Sequence, residues 1–182
     1  MAEAVDGRRV KGERSKQELI EATVRIVARD GVAGVSHRAV AREAGQPPTA
    51  AAYHFSSIDD LLTAALTRCM QEDAARMRAL AASEHVSLRE LAELMCRLRT
   101  RPDQLLAAYE LYLLAVRRPE LRAATQDWLD AVTEFGARHT TDPVRLRLLA
   151  AAMDGLLMQA LLTDDPPTAD DYEAALRAAL LP

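Results

Sequence analysis

The sequence predicts an all-α fold of about nine helices, three compact ones at the N-terminal end and a larger helical domain behind them. Three observations lead there. Apolar residues make up 49% of the 182 positions but aromatic residues only 4%. Ala and Leu, both strong helix formers, dominate the apolar set, whereas the β-branched and aromatic runs that build strands are scarce. Apolar residues recur at helical spacing between well-marked starts and stops.

Taken in order, residues 1–14 are charged, glycine-containing and without periodicity, which reads as a mobile basic arm. From Ser15 to Asp30, Leu19, Ala22, Thr23, Ile26 and Val27 follow the 3.6-residue repeat. Ser15 with Glu18 makes a capping-box pattern, and Gly31 supplies the stop. Ser36 is the next N-cap, with Ala39 to Ala44 behind it and Gly45 closing the helix. Pro47 and Pro48 suit only a first turn, so the third helix is expected from about Pro48 to Phe55. Ser57 caps a fourth helix, whose stripe of Ile58, Leu62, Ala65, Leu66, Cys69, Met70 and Met77 runs to about Ala81. Further on, Ser87, Pro102, Pro119 and Asp142-Pro143 each open a helix. Thr168 caps the last one, through Tyr172, Leu176 and Leu180. The expected organisation is an arm over 1–14, a helix-turn-helix unit over 15–57 and a second helical domain over 58–182.

The segment from Val144 to Leu162 is apolar round most of its circumference, so it needs cover on several sides. In a monomer it is a central core helix. In a dimer one side faces the partner with the last helix beside it, and Leu149, Ala152, Leu156, Tyr172 and Leu176 are the expected contacts.

Charge and composition exclude several classes. The net charge is −4, yet residues 8–42 hold nine Lys or Arg against four Asp or Glu. One end therefore attracts polyanions while the rest mildly repels them. No apolar run approaches the ~20 residues that span a bilayer, and the N-terminus lacks the hydrophobic segment of a secretory signal. A membrane partner is not expected, and a cytoplasmic location is. Cys69 and Cys96 have no metal-ligand spacing and read as buried thiols in a reducing compartment. His37, His54, His85 and His139 show no metal pairing, and no glycine-rich phosphate loop exists. Neither an enzyme, a metal site nor a cofactor is expected.

The stretch "SHRAVAREAGQPPTAAAYHF" fits two short helices joined by a tight turn on a supporting first helix. A helix as slim as one carrying Thr49, Ala50, Ala51 and Ala52 fits a major groove about 12 Å wide. Ser36 and Thr49, at helix starts, suit phosphate oxygens, and Arg38 suits a phosphate or a guanine edge. Tyr53 and His54 suit the far backbone. Phe55 reads as a plug locking the short helix to the first one.

Residues 15–62, through "ELIEATVRIVARDGVAGVSHRAVAREAG" and "TAAAYHFSSIDDLL", resemble the DNA-binding domain of the TetR family of bacterial transcriptional repressors. The resemblance implies a homodimer, a double-stranded operator with inverted repeats, and a ligand cavity in the larger domain whose occupation releases DNA. It places DNA contacts on Ser36, His37 and Arg38, and on Pro48, Thr49, Ala50, Tyr53 and His54. Three departures stand out. Ala52 replaces a frequent second aromatic, Ile58 replaces a frequent lysine, and Gln46-Pro47 replaces a valine-serine pair. Arg8, Arg9 and Lys11 of the arm would offset the two lost phosphate contacts by reaching a minor groove. The effector, expected to be small and apolar, would meet Leu66, Met70, Met95, Tyr109, Leu113, Trp128, Met153 and Leu157; the same residues also fit a plain core. Tyr109 shares a helix face with Leu113, and Tyr112 with Val116, so only one tyrosine is expected to point inward. Asp154 is the one charge in the apolar helix that would signal an ionic ligand; the alternative is that it caps or pairs across a dimer contact. The alternative reading is a helical protein-interaction module that binds no DNA.

Overall fold

The computed structural model describes residues 2–181, with side chains from Val10 to Leu181. Nine α-helices follow one another among the described residues, with no strand: α1 (Ala2–Asp30), α2 (His37–Glu43), α3 (Ala50–His54), α4 (Ile58–Ala81), α5 (Leu88–Arg99), α6 (Pro102–Arg117), α7 (Arg122–Gly136), α8 (Pro143–Ala160) and α9 (Ala169–Leu180). Local chemistry explains most of the boundaries. Ser36, Ser57 and Ser87 each accept a backbone N–H of the first turn behind them. Asp142 does the same for α8, whose first residue is Pro143. Thr168 and Asp171 cap each other's backbone N–H at the start of α9. Each such cap stabilises its helix by about 1 kcal/mol.

Three boundaries differ from the sequence reading. The stretch expected as an arm forms the first turns of α1, which runs unbroken from Ala2. Ser15 is therefore interior to the helix, and its hydroxyl donates to Gln46 Oε1 at 2.7 Å instead of capping. The third helix starts at Ala50, because Pro47 and Pro48 occupy the preceding turn, closed by Ala50 N–H donating to Pro47 C=O at 2.9 Å. Pro119 opens a single 3₁₀ turn over Pro119–Leu121 before α7.

Two cores lie end to end along α4. The first half of α4, with Leu61, Leu62, Ala65 and Leu66, packs with Leu19, Ile26, Val40, Phe55 and Leu111. Its second half, with Ala74 and Met77, packs with Leu91, Met95, Phe135, Met153 and Tyr172. Trp128 of α7 touches both cores. Helices α7 and α8 approach closely at Gly136, where a Cβ would lie 2.7 Å from Leu146 and 3.0 Å from Leu149.

Candidate DNA-reading head and effector cavity

Helices α1, α2 and α3 form a small head. Val40, Ala41, Ala51 and Phe55 bury one side of α2 and α3 against α1. The opposite side stays open: Ser36, Arg38, Pro48, Thr49 and Ala52 are exposed, and Tyr53 is 85% exposed. His37, Ala50 and His54 are half-buried on that same short segment. The Tyr53 ring stands edge-on to His54 with centroids 5.0 Å apart. Phe55, only 4% exposed, plugs the core as its position after the short helix suggested. Lys11 is exposed on α1, whereas the side chains of Arg8 and Arg9 lie outside the described residues.

The turn between α2 and α3 is pinned by Gln46, which the sequence marked only as part of a departure from the family pattern. Gly45 adopts φ +65°, a left-handed conformation glycine takes without strain. Gln46 behind it donates to Ser15 C=O at 3.1 Å and to Glu18 Oε2 at 2.9 Å. With the Ser15 bond, these contacts fasten the turn to α1. Part of the basic excess is spent inside the head. Glu43 accepts from Arg25 at 3.0 Å and Arg29 at 3.1 Å, which holds its carboxyl below the usual range. Arg14 pairs with Glu18. Arg38 and Arg42 form no ion pair among the described residues and stay exposed toward solvent.

Behind the head lies a cavity of about 1020 Å³, walled by α1, α4, α5, α6, α7 and α8. Of the residues expected at an effector, Met70, Tyr109, Trp128 and Leu157 line it. Met95 and Met153 line a small adjoining void instead. Leu66 is fully enclosed in the first core, and Leu113 is 57% exposed on the outer side of α6. Tyr109 and Tyr112 both line the cavity, correcting the expectation of one inward tyrosine. They are three residues apart on α6, close enough round the helix to face one space. The Tyr109 hydroxyl donates to Asp154 C=O at 2.9 Å. Six carboxylates line the cavity, those of Glu21, Glu43, Glu72, Asp73, Asp103 and Asp154, and burial raises Asp73 and Asp154 each to about 6. Burial also pushes the Cys69 thiol up to about 12, so it stays protonated.

Residues 19–65 match the family model described as bacterial regulatory proteins, tetR family. Residues 83–182 match that of the tetracyclin repressor-like, C-terminal domain. The multidrug binding protein EbrR, in its complex with ethidium, is 36% identical over 91% of this chain and 98% of its own, with a TM-score of 0.74. The chain belongs to the TetR family. A second member, SCO1917 from Streptomyces coelicolor A3, is also 36% identical, over 91% of this chain and 98% of its own, with a TM-score of 0.76. EbrR in complex with malachite green is 38% identical, over 90% of this chain and 96% of its own, with a TM-score of 0.71. No curated protein matches.

In this TetR-family transcriptional regulator, head and cavity share helices. Tyr109 and Tyr112 of α6 line the cavity. Between them in sequence, Glu110 accepts the Val32 N–H of the α1–α2 connection at 3.1 Å. Arg118, just past α6, lies 2.7 Å from Asp59 at the start of α4. The residues expected at a dimer face divide. Leu149, Tyr172 and Leu176 are enclosed by the chain's own helices: Leu149 lies on α8, which packs against α5, α7 and α9, and Tyr172 and Leu176 lie on α9, which packs against α5 and α8. Ala152 and Leu156 are half-buried. The exposed apolar side chains of α8 are Val144, Leu148 and Met158, with Leu162 just beyond its end. Among the described residues no helix is long and apolar enough to cross a membrane.

Proposed function

We propose that this TetR-family chain is a homodimeric repressor that reads a palindromic operator with α2 and α3 and lets go when a small molecule fills the cavity. The observation that carries this reading is the double role of α6. The helix that presents Tyr109 and Tyr112 to the cavity also holds Glu110 against the head, and Arg118 at its end meets Asp59 of α4. A ligand that separates α6 from α4 strains both links and tilts the head. The effect requires tighter ligand binding to the tilted state, and tenfold loss of DNA affinity needs about 1.4 kcal/mol of that preference.

DNA contact falls to the exposed side chains Ser36, Arg38, Pro48, Thr49 and Tyr53, with His37, Ala50 and His54 beside them. Lys11, and Arg8 and Arg9 with it, add charge from the start of α1. EbrR, a multidrug binding protein complexed with ethidium, proflavin and malachite green, supports a small-molecule effector for this chain. The exposed apolar residues of α8 suit pairing with a second copy, which sets two heads on half-sites about 34 Å apart. The test is a salt titration of binding to the DNA flanking the gene. Expected is a specific site and a steep fall of affinity with salt. Weak, salt-insensitive binding to every fragment would instead favour a protein-interaction module.

A further inference from the structure

We infer that Gln46 positions the basic start of α1 on the operator: by engaging Ser15 and Glu18 together it denies them to each other as a helix cap, so that α1 runs on past Ser15 and carries Lys11 beside the reading turn. The inference rests on the DNA reading of the head and deepens it, since an uncharged turn residue then sets how the basic end meets DNA. Ser15 and Glu18 are spaced to begin a helix at Ser15. In that arrangement the serine hydroxyl accepts the Glu18 N–H and the glutamate carboxylate accepts the Ser15 N–H. In the structure both side chains turn to Gln46 instead. The Ser15 hydroxyl donates to Gln46 Oε1 at 2.7 Å. The Glu18 carboxylate accepts from Gln46 Nε2 and from Arg14 Nε, each at 2.9 Å. Gln46 Nε2 also donates to Ser15 C=O at 3.1 Å. One side-chain amide thus commits its acceptor and both its donors to α1. Reversed, it would set its oxygen against a carbonyl and a carboxylate, so the direction of the three bonds is fixed.

Packing does not account for the helix ahead of Ser15. Val10 is 61% exposed, and Lys11, Glu13 and Arg14 are exposed as well. A Cβ added at Gly12 would meet nothing within 4 Å, and glycine itself disfavours a helix interior. The segment is therefore balanced between running on as helix and starting afresh at Ser15, and the bonds to Gln46 decide it. Its placement gives the choice a consequence. Gln46 directly precedes Pro47, Pro48 and Thr49, the exposed lead into α3. Ser15 against Gln46 sets α1 at that end of the reading side. Lys11, four residues earlier, stands about 6 Å further along the helix axis. Lys16 lies over the Phe55 ring at 5.9 Å and Arg14 pairs with Glu18, whereas Lys11 forms no ion pair among the described residues. A continuous helix holds that charge in one place. An arm released at Ser15 would have to be ordered each time DNA is bound.

The test uses the full chain with Gln46→Val, Gln46→Glu, and Gln46→Glu combined with Glu18→Gln. Amide hydrogen exchange is followed without DNA, and binding to a duplex from the flank of the gene is titrated with salt. Expected for Gln46→Val is exchange over residues 10–14 about tenfold faster, with α4 unchanged, and a salt slope flattened by about one per head. Gln46→Glu should behave alike, because a carboxylate there cannot donate and faces Glu18. Adding Glu18→Gln should restore slow exchange and the wild-type slope, since the new amide donates to the new carboxylate. In a Lys11→Ala background, Gln46→Val should leave the slope where it is. Unchanged exchange in Gln46→Val, no rescue in the double variant, or affinity lost equally at every salt concentration would overturn the inference. If Gln46→Val fails to fold, the rescue pair carries the test. A wild-type chain that binds no duplex ends the DNA reading and this inference with it; binding whose slope is indifferent to Gln46 ends this inference alone.

Discussion

Asp154 shows what a single side chain costs the fold. Burial raises its carboxyl from 3.8 to about 6 in the folded chain, so the folded state holds the proton more firmly than the unfolded state. Stability from this group is therefore greatest below about pH 4 and is lost as pH rises through about 6. Asp154→Asn is expected to raise stability at about pH 8 by roughly 1–2 kcal/mol, since water in the open cavity softens the penalty, and to change little near pH 4. Urea melts of both chains at the two pH values check this; a less stable variant at the higher pH would contradict it. Residues also mark where sequence reasoning stops. Asp73 lies in a charged run with Glu72 and Arg76 that looks like a solvated helix face, and only the packing of α4 turns it inward. Gln46 finds its partners 31 and 28 positions away, a pairing no local pattern reveals.

At the scale of the element, helix starts were the most legible feature. Serine, threonine and proline act within one turn, so their signal needs no tertiary contact. The clearest exception is α1, where Ser15 and Glu18 imitate a cap but serve Gln46 instead, while α3 and α7 begin two and three residues after Pro48 and Pro119. Helix-face arguments were less reliable. They placed Leu149, Tyr172 and Leu176 toward a partner, yet α9 and α5 already cover them. Helix α6 is the element whose role depends most on both of its faces. Glu110→Ala removes the acceptor of the Val32 N–H. Expected is ethidium affinity within about twofold of wild type, with effector-driven release from DNA reduced about fivefold. Fluorescence anisotropy of labelled operator, titrated with ethidium, reads this directly. Full release in the variant would show that Glu110 is not a link.

For the whole molecule, the division into head and larger domain was visible in charge and in the recurring starts, while the dimer surface was not. An apolar residue at helical spacing looks the same whether its cover is a neighbouring helix or a second chain. Leu148 and Met158 are 49% and 42% exposed, and Leu162 beyond α8 is 83% exposed. Apolar surface of this kind left open on one helix fits a contact with a second copy. Leu148→Glu with Met158→Glu is expected to shift the protein to monomer in sedimentation velocity and to weaken operator binding about tenfold or more, since one head then loses its tethered neighbour. A dimer that survives both changes would place the contact elsewhere.

The most direct measurement concerns the exposed side of α2 and α3. Footprinting the full chain on the DNA flanking its gene is expected to reveal a palindromic protected region that is lost on Arg38→Ala combined with Tyr53→Ala. Absence of protection on every flanking fragment at low salt, or protection indifferent to both substitutions, would contradict the assignment of that surface to DNA.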